Sequence, residues 1–189
     1  METSNNEQII NGHAYADLGL SVMWATCNVG AAKPENYGDY YAWGETETKP
    51  TYDMDNCKTW KKEIGDISGT SRDVARMKWG ATWRMPTEAE FDELWNNCDY
   101  EWTTLNGVKG GRFTSRKNGN SIFLPAAGGH KEENPCSDGY YWSATPAKKS
   151  CCSAFYLYFW DGIHCTSWLA LFHGLTIRPV SNNPDCNHK

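Results

Sequence analysis

The chain has 189 residues, a formal net charge of −5 and an aromatic content of 14%. This length suits one domain with a sizeable hydrophobic core. No run of Lys or Arg is longer than two residues, and no apolar run approaches the roughly 18 residues of a membrane span. We therefore expect neither nucleic-acid binding nor membrane insertion.

The domain organisation expected from the sequence is simple. Residues 1–14 are polar and lack the basic and apolar regions of a signal peptide, so they are expected to be an N-terminal extension. Residues 15–181 contain no linker and no internal repeat, and we expect them to form a single domain. Residues 182–189 are expected to be a C-terminal tail.

Short apolar stretches broken by glycine fill the first part of the domain. The stretch "YADLGLSVMWATCNVGA" is typical of strands and turns, and "KPENYGDYYAWGETETKP" is rich in turn residues. The polar segment 51–71 is expected to be a long surface loop. The stretch "SRDVARMKWG" predicts a short helix with Ser71 as its N-cap, ending at Gly80.

The clearest helix signal is "WRMPTEAEFDELWNNC". Thr87 is expected to be the N-cap, and Glu90 follows it at the spacing of a capping box. The acidic residues of this first turn are therefore explained by the helix start and not by catalysis. This helix is expected to have about ten residues. Its apolar stripe consists of Phe91, Leu94 and Trp95.

The rest of the chain has the pattern of an antiparallel meander. The stretches "LNGV" and "KNGN" contain Asn-Gly turns, and "GYYWSATP", "AFYLYFW" and "LTIRPV" are predicted strands. We therefore expect an α+β fold with many short antiparallel strands, one or two helices and long loops.

The cysteine and histidine positions do not form a known chemical motif. The eight cysteines include no CxxC pair, and the five histidines form no HExxH or His-x-x-x-His pattern. We expect mostly free thiols, no metal site, no cofactor and no catalytic residue. The cysteines are Cys27, Cys57, Cys98, Cys136, Cys151, Cys152, Cys165 and Cys186.

The run from Cys151 to Gly174 is the most apolar part of the chain. Alternation along "AFYLYFW" places Phe155, Leu157 and Phe159 on one face of a strand, which we expect to be core. Tyr156, Tyr158 and Trp160 lie on the other face, which is either an exposed aromatic surface or a second buried side. The stretch "GIHCTSWLALFHG" is expected to be an apolar surface loop, and a loop folded under the domain is the alternative.

Together, "DLGLSVMWATCNVGA", "YGDYYAWGE", "WRMPTEAEFDEL", "NGNSIFLPAAG", "GYYWSATP" and "LTIRPV" resemble the C-type-lectin-fold domains of gut anaerobes. This group includes the variable proteins of diversity-generating retroelements and is related to the formylglycine-generating fold. The resemblance covers residues 15–180. It implies a C-type-lectin-like fold whose variable region, about residues 140–180, binds ligands. In such proteins a reverse transcriptase diversifies the 3′ end of the gene while the scaffold stays fixed.

The resemblance assigns each residue of the run to scaffold or to variable positions. The scaffold positions are Ala154, Leu157, Phe159, Asp161, Gly162, His164, Thr166 and Gly174. The expected ligand-binding positions are Cys151, Cys152, Tyr156, Tyr158, Trp160, Ile163, Cys165, Ser167, Trp168, Leu169, Ala170, Leu171, Phe172 and His173.

The implied function is non-enzymatic binding of a protein or cell-surface macromolecule by a monomer. Cell-surface, secreted and phage-particle locations are all compatible with it. Two alternatives remain open on the same fold. One is an invariant adhesin or carbohydrate-binding domain, although the calcium-dependent sugar motifs are absent. The other is a formylglycine-generating oxidase relative, although Cys152 and Cys165 do not have the spacing of that family's cysteine pair.

Overall fold

The structure is a computed structural model that describes residues 8–129, 137–148 and 150–182. Within these ranges the chain is a small mixed fold of mostly antiparallel strands with two short helices. The strands are β1 (Gln8–Ile10), β2 (His13–Ala16), β3 (Val22–Ala25), β4 (Trp83–Arg84), β5 (Cys98–Leu105), β6 (Val108–Ser115), β7 (Ser121–Pro125), β8 (Gly139–Pro146), β9 (Ser153–Trp160), β10 (Ile163–Ala170) and β11 (Val180–Asn182). The helices are α1 (Val74–Trp79) and α2 (Glu88–Asn97).

The strands form three sheets. A five-stranded sheet has the order β1-β2-β3-β11-β4, and two three-stranded sheets have the orders β5-β6-β7 and β10-β9-β8. Every named pair is antiparallel. The five-stranded sheet begins at Gln8, inside the segment that the sequence assigns to an N-terminal extension. No helix in the described part of the chain is long and apolar enough to cross a membrane.

The structure confirms both predicted helices, but the N-cap of α1 is not the residue that the sequence predicts. Helix α2 has Thr87 as its N-cap, and the complete capping box with Glu90 confirms the prediction. Helix α1 ends at Gly80 as expected, but its N-cap is Asp73 and not Ser71. The Asp73 carboxylate is buried and accepts hydrogen bonds from the backbone N–H groups of Arg76, Gly69 and Met85. A charged acceptor with three backbone donors outweighs a serine hydroxyl two residues earlier.

The segment "LTIRPV" is largely not a strand, which corrects the sequence expectation. Leu175 and Thr176 form isolated bridges, and β11 begins only at Val180. The reason is Arg178, whose buried guanidinium donates to the carbonyls of Ala25, Thr26 and Phe123 and to Asn28 Oδ1. These bonds tie the C-terminal segment to residues beside β3 and within β7.

The core consists of two clusters on opposite sides of β8 and β9. The first core packs on Trp142, Ala154 and Tyr156, and the second core packs on Tyr141, Leu157 and Phe159. The first core also contains Tyr41, Trp43, Trp79, Trp83, Leu171, Leu175 and Ile177. The second also contains Leu18, Leu20, Trp24, Phe91, Leu94, Cys98, Phe113 and Val180. Because a core packs on each side of β8 and β9, the sheet that carries most of the expected binding residues is held in place from both sides.

Candidate functional site

Residues Ile163–Ala170 form strand β10, although the sequence predicts a loop there. The strand pairs with β9 along its whole length, and a tight turn at Asp161 and Gly162 joins the two. Gly162 has a φ of +79°, which glycine adopts without strain. The alternation of β10 is hidden in the sequence because apolar residues occur on both of its faces, including Trp168 between Ser167 and Leu169.

The register of β8, β9 and β10 defines two faces of this sheet. Tyr158 lies opposite Cys165 on one side and Tyr140 on the other, and cross-strand partners share a face. We define the outer face as Tyr140, Trp142, Ala154, Tyr156, Tyr158, Trp160, Ile163, Cys165, Ser167 and Leu169. We define the core face as Gly139, Tyr141, Phe155, Leu157, Phe159, His164, Thr166, Trp168 and Ala170.

Half of the residues expected to bind ligand lie together on the outer face. They are Tyr156, Tyr158, Trp160, Ile163, Cys165, Ser167 and Leu169. Trp168 and Ala170 lie on the core face. Leu171, Phe172 and His173 follow β10, and Cys151 and Cys152 precede β9.

Two of the expected binding residues are buried, which corrects their assignment to an exposed surface. Tyr156 is only 9% exposed, because its ring packs beside Trp142 in the first core. Leu171 is 2% exposed and belongs to the same core. Conversely, Phe155 was expected in the core but is only half-buried, because it lies opposite the exposed Trp168 at the end of the sheet. The accessible part of the outer face therefore begins at Tyr158.

A row of aromatic rings crosses the outer face. The Tyr158 ring centroid lies 4.7 Å from that of Tyr140 and 4.7 Å from that of Trp160. Asp138 Oδ2 accepts hydrogen bonds from Tyr158 Oη at 3.0 Å and from Tyr140 Oη at 3.5 Å. Burial raises the pKa of Tyr158, and the bond to Asp138 adds to the increase, so this phenol stays protonated at neutral pH. The rings are thus held in place by both packing and hydrogen bonds.

The accessible end of the outer face is mainly apolar, with the Asp138 carboxylate at its border. Ile163 is 46% exposed, Cys165 is exposed, and Tyr158 and Trp160 are half-buried. No residue of the outer face carries a charged side chain. Rigid Tyr and Trp rings interleaved with small polar residues such as Ser167 are the composition of antibody paratopes. This arrangement is suited to surface recognition.

The remaining expected residues form a second, separate group near the start of β9. The Sγ atoms of Cys151 and Cys152 are 3.5 Å apart, and Cys151 borders a cavity of about 530 Å³ beside Pro146 and Lys148. Phe172 packs edge-on against Trp60 and stacks on His173. Burial lowers the pKa of His173.

The cysteines are free throughout the described part of the chain. Cys27, Cys57, Cys98, Cys151, Cys152 and Cys165 have no disulfide partner there, and Cys136 and Cys186 lie outside the described residues. Cys165 is opposite Tyr158, whereas Cys152 accepts a backbone hydrogen bond from Leu171. Six strand positions separate the two, which is about 20 Å. They cannot act as one catalytic pair.

Two residues of the site were not predicted as binding residues. Tyr140 lies at the start of the expected variable region but is not one of the expected ligand-binding positions, although the pairing of β8 with β9 places it beside Tyr158. Asp138 gives no signal in the sequence, because its role depends on the strand register. Comparison with family models, with curated proteins and with solved structures finds no match for this chain.

Proposed function

We propose that this chain is a non-enzymatic binding protein of the diversity-generating retroelement type, with a C-type-lectin-like fold. Its outer face binds another protein, and the residues in contact are Tyr158, Trp160, Ile163, Cys165 and Ser167. Retroelement copying replaces these residues while the scaffold positions of the core face remain constant.

One observation carries the proposal. The positions that the resemblance marks as variable on β9 and β10 fall mainly on the outer face, and the scaffold positions fall mainly on the core face. Leu157, Phe159, His164 and Thr166 are the scaffold positions there. Trp168 and Ala170 are variable positions on the core face, at the end where that face is no longer covered. Changes at the accessible end of the outer face leave the second core untouched, which favours repeated diversification, although Tyr158 and Leu169 pack against the first core.

The chemistry of the face favours a protein ligand. Tyr158, Trp160 and Ile163 present large apolar area, and aromatic residues of this kind are enriched among interface hot spots. A carbohydrate ligand would use the same rings for stacking but would also need several polar groups to bind its hydroxyls. Among the described residues, Ser167 is the one aliphatic hydroxyl of the outer face.

Sequencing the gene in independent isolates tests the diversification. We expect codon differences to concentrate at Tyr158, Trp160, Ile163, Cys165 and Ser167, with the codons of Leu157 and Phe159 unchanged. A near-copy of this region, with asparagine codons at Tyr158, Ile163, Cys165 and Ser167, is expected nearby, beside a reverse transcriptase gene. Trp160 requires a different template codon, because adenine changes alone do not convert an asparagine codon into a tryptophan codon. Equal variation on the two faces would contradict the proposal.

A binding screen tests the face itself. The protein is screened against purified bacterial surface proteins and, separately, against a glycan array. For a protein that binds, Trp160→Ala and Ile163→Lys should each weaken affinity by about tenfold or more. Met77→Lys is the matched control, because Met77 is 54% exposed on α1, away from the face. Glycan binding that Tyr158→Ala abolishes would favour the carbohydrate-binding alternative.

A further inference from the structure

Strand β10 forms an open edge of its sheet. It has eight residues, and within the described part of the chain its ladder partner is β9 alone. The Leu171 N–H donates to the Cys152 carbonyl, and hydrogen-bonded pairs alternate with non-bonded pairs along an antiparallel ladder. This bond therefore shows which residues of β10 are hydrogen-bonded to β9. Ile163, Cys165, Ser167 and Leu169 direct their backbone groups towards β9. The N–H and C=O groups of His164, Thr166 and Trp168 therefore point away from the sheet, and the Ala170 carbonyl, on the same side, accepts a hydrogen bond from the His173 N–H.

The other edge strands of the described structure are protected. Strands β1 and β4 have three and two residues. Strand β5 carries Asp99 and Glu101, and β7 ends at Pro125. Strand β8 is covered, because the Trp142 N–H donates to the Thr176 carbonyl. Short length, charge, proline and coverage are the usual means by which edge strands avoid pairing with another chain.

Strand β10 has none of these protections. Its sequence, "IHCTSWLA", contains no proline, no acidic residue and no Lys or Arg. It also exposes large apolar side chains at the edge, since Trp168 is 64% exposed and Ile163 is 46% exposed. An uncharged, long and apolar open strand is a template for pairing with a further strand.

We propose that β10 pairs antiparallel with β10 of a second copy of this chain, so that two three-stranded sheets join into one of six strands about a two-fold axis. The sequence predicts a monomer, and it predicts a loop for this segment, which would have no strand edge. The proposed dimer replaces that prediction. The proposal does not depend on the proposed function, because it concerns the strand edge and not the outer face.

Self-pairing satisfies the open backbone groups and matches the side chains. Among the registers that align the outward-facing residues and keep equivalent faces together, the two with the greatest overlap are centred on Thr166 and on Ser167. In the first, His164 faces Trp168 and Ile163 faces Leu169 across the axis. In the second, Cys165 faces Leu169 and Thr166 faces Trp168. Neither register places like charges opposite each other, and both cover part of the Trp168 side chain.

The net charge of the molecule determines the salt dependence expected of a symmetric dimer. The whole chain has a net charge of −5, so two copies repel each other at long range. Strand β10 itself has no charged residue, but the Asp92 carboxylate of α2 accepts a hydrogen bond from Thr166 Oγ1 and adds to this repulsion. Added salt screens this repulsion, and we expect it to tighten the dimer. A basic peptide bound at the edge would show the opposite salt dependence.

Sedimentation equilibrium of the purified full chain tests the proposal. We expect the mass to rise with concentration from 21.4 kDa towards twice that value. Trp168→Lys should weaken association by about tenfold or more, as should Thr166→Pro, which removes an N–H that faces outward. Met77→Lys, a similarly exposed apolar position, should not. A wild-type mass that stays at 21.4 kDa at every concentration would overturn the proposal.

Hydrogen exchange identifies the edge without any substitution. The amides of Thr166 and Trp168 should be protected at high protein concentration and exchange quickly at low concentration. The amides of Cys165 and Ser167, which bond to β9, should be protected in both conditions. If a dimer forms but Tyr158→Lys abolishes it and the Thr166 amide stays unprotected, the contact is the outer face, and edge pairing is wrong.

Discussion

The two faces of the β8–β9–β10 sheet are built from alternating residues of the same strands, yet they have very different environments. On the core face, Leu157 is 1% exposed and Phe159 is fully buried. Their immediate neighbours on the outer face, Tyr158 and Trp160, are half-buried. Similar aromatic and apolar residues therefore serve as core on one side and, from Tyr158 onwards, as accessible surface on the other, and hydrophobicity alone does not separate the two roles.

The difference lies in what packs against each face. The Phe159 ring occupies the space above Gly139, its cross-strand partner, and a Cβ there would overlap the ring. A Cβ on Gly111 of β6 would lie 3.3 Å from the same ring and 2.7 Å from Tyr100. The core face is thus a fitted contact in which two glycines accept one phenyl ring. At the accessible end of the outer face, the rings of Tyr140, Tyr158 and Trp160 contact one another, and those of Tyr140 and Tyr158 also pack against the first core.

The largest expected effect comes from removing the ring on the core face. Phe159→Ala should lower the free energy of unfolding by about 3–5 kcal/mol, because it leaves a cavity between β6, β8 and β9. Its neighbour on the other face provides the control, and Trp160→Ala should cost about 1 kcal/mol. Urea denaturation of the two variants measures both values. Equal losses would mean that the outer face is as tightly packed as the core face.

A smaller effect is expected when a methyl group is added to the core face. Gly139→Ala should destabilise the protein by about 1–3 kcal/mol, because the new Cβ overlaps the Phe159 ring. Combining it with Phe159→Leu should recover about 0.5 kcal/mol or more relative to the sum of the single changes. A double-mutant cycle by denaturation measures this coupling. Strict additivity would show that the ring moves aside at no cost.

The sequence predicts the local elements of this fold well, where short-range rules operate. The capping box of α2 depends on residues three positions apart, and the Asn-Gly turn at Asn106 and Gly107 joins β5 to β6 as expected. Strand β8 has the bounds of the predicted segment. These features require no knowledge of the tertiary structure.

The misassigned parts depend on long-range contacts. Alternation in β10 is hidden because Trp168 lies on a part of the core face that no described residue covers fully, which leaves its side chain exposed. Tyr156 is buried by Trp142, which is distant in the sequence, and Asp73 replaces Ser71 as a cap because Met85 and Gly69 also donate to it. Half of the expected binding residues share one face, but which of these are accessible follows only from how the first core covers the sheet.

A histidine on the core face, His164, should make the stability of the protein fall at acidic pH. Burial against Trp95 and Tyr100 lowers the pKa of His164, on the core face, to about 4, and its Nδ1 has no hydrogen-bond partner in the described residues. The unfolded chain, with a pKa near 6.5, binds this proton more tightly. Stability is therefore lost as pH falls from about 6.5 towards 4.

Comparison with a variant that cannot titrate isolates this contribution. Between pH 7 and pH 5, the wild type should lose on the order of 1 kcal/mol more stability than His164→Phe, after allowance for partial exposure. His13 and His173 are present in both proteins and cancel in the difference. Thermal denaturation in matched buffers measures it. Parallel pH profiles would indicate that the imidazole of His164 is solvated in the folded protein.

The alkylation rates of two thiols, Cys98 and Cys165, compare the two faces without any substitution. Cys98 belongs to the second core, and burial raises its pKa to about 11, so only about one thiol in a thousand is ionised at pH 8. Cys165 is exposed on the outer face. Timed alkylation with iodoacetamide, followed by peptide mass spectrometry, should label Cys165 long before Cys98. Because alkylation requires access as well as the thiolate, equal rates would mean that the second core opens readily. Changes on the outer face would then no longer be isolated from the core.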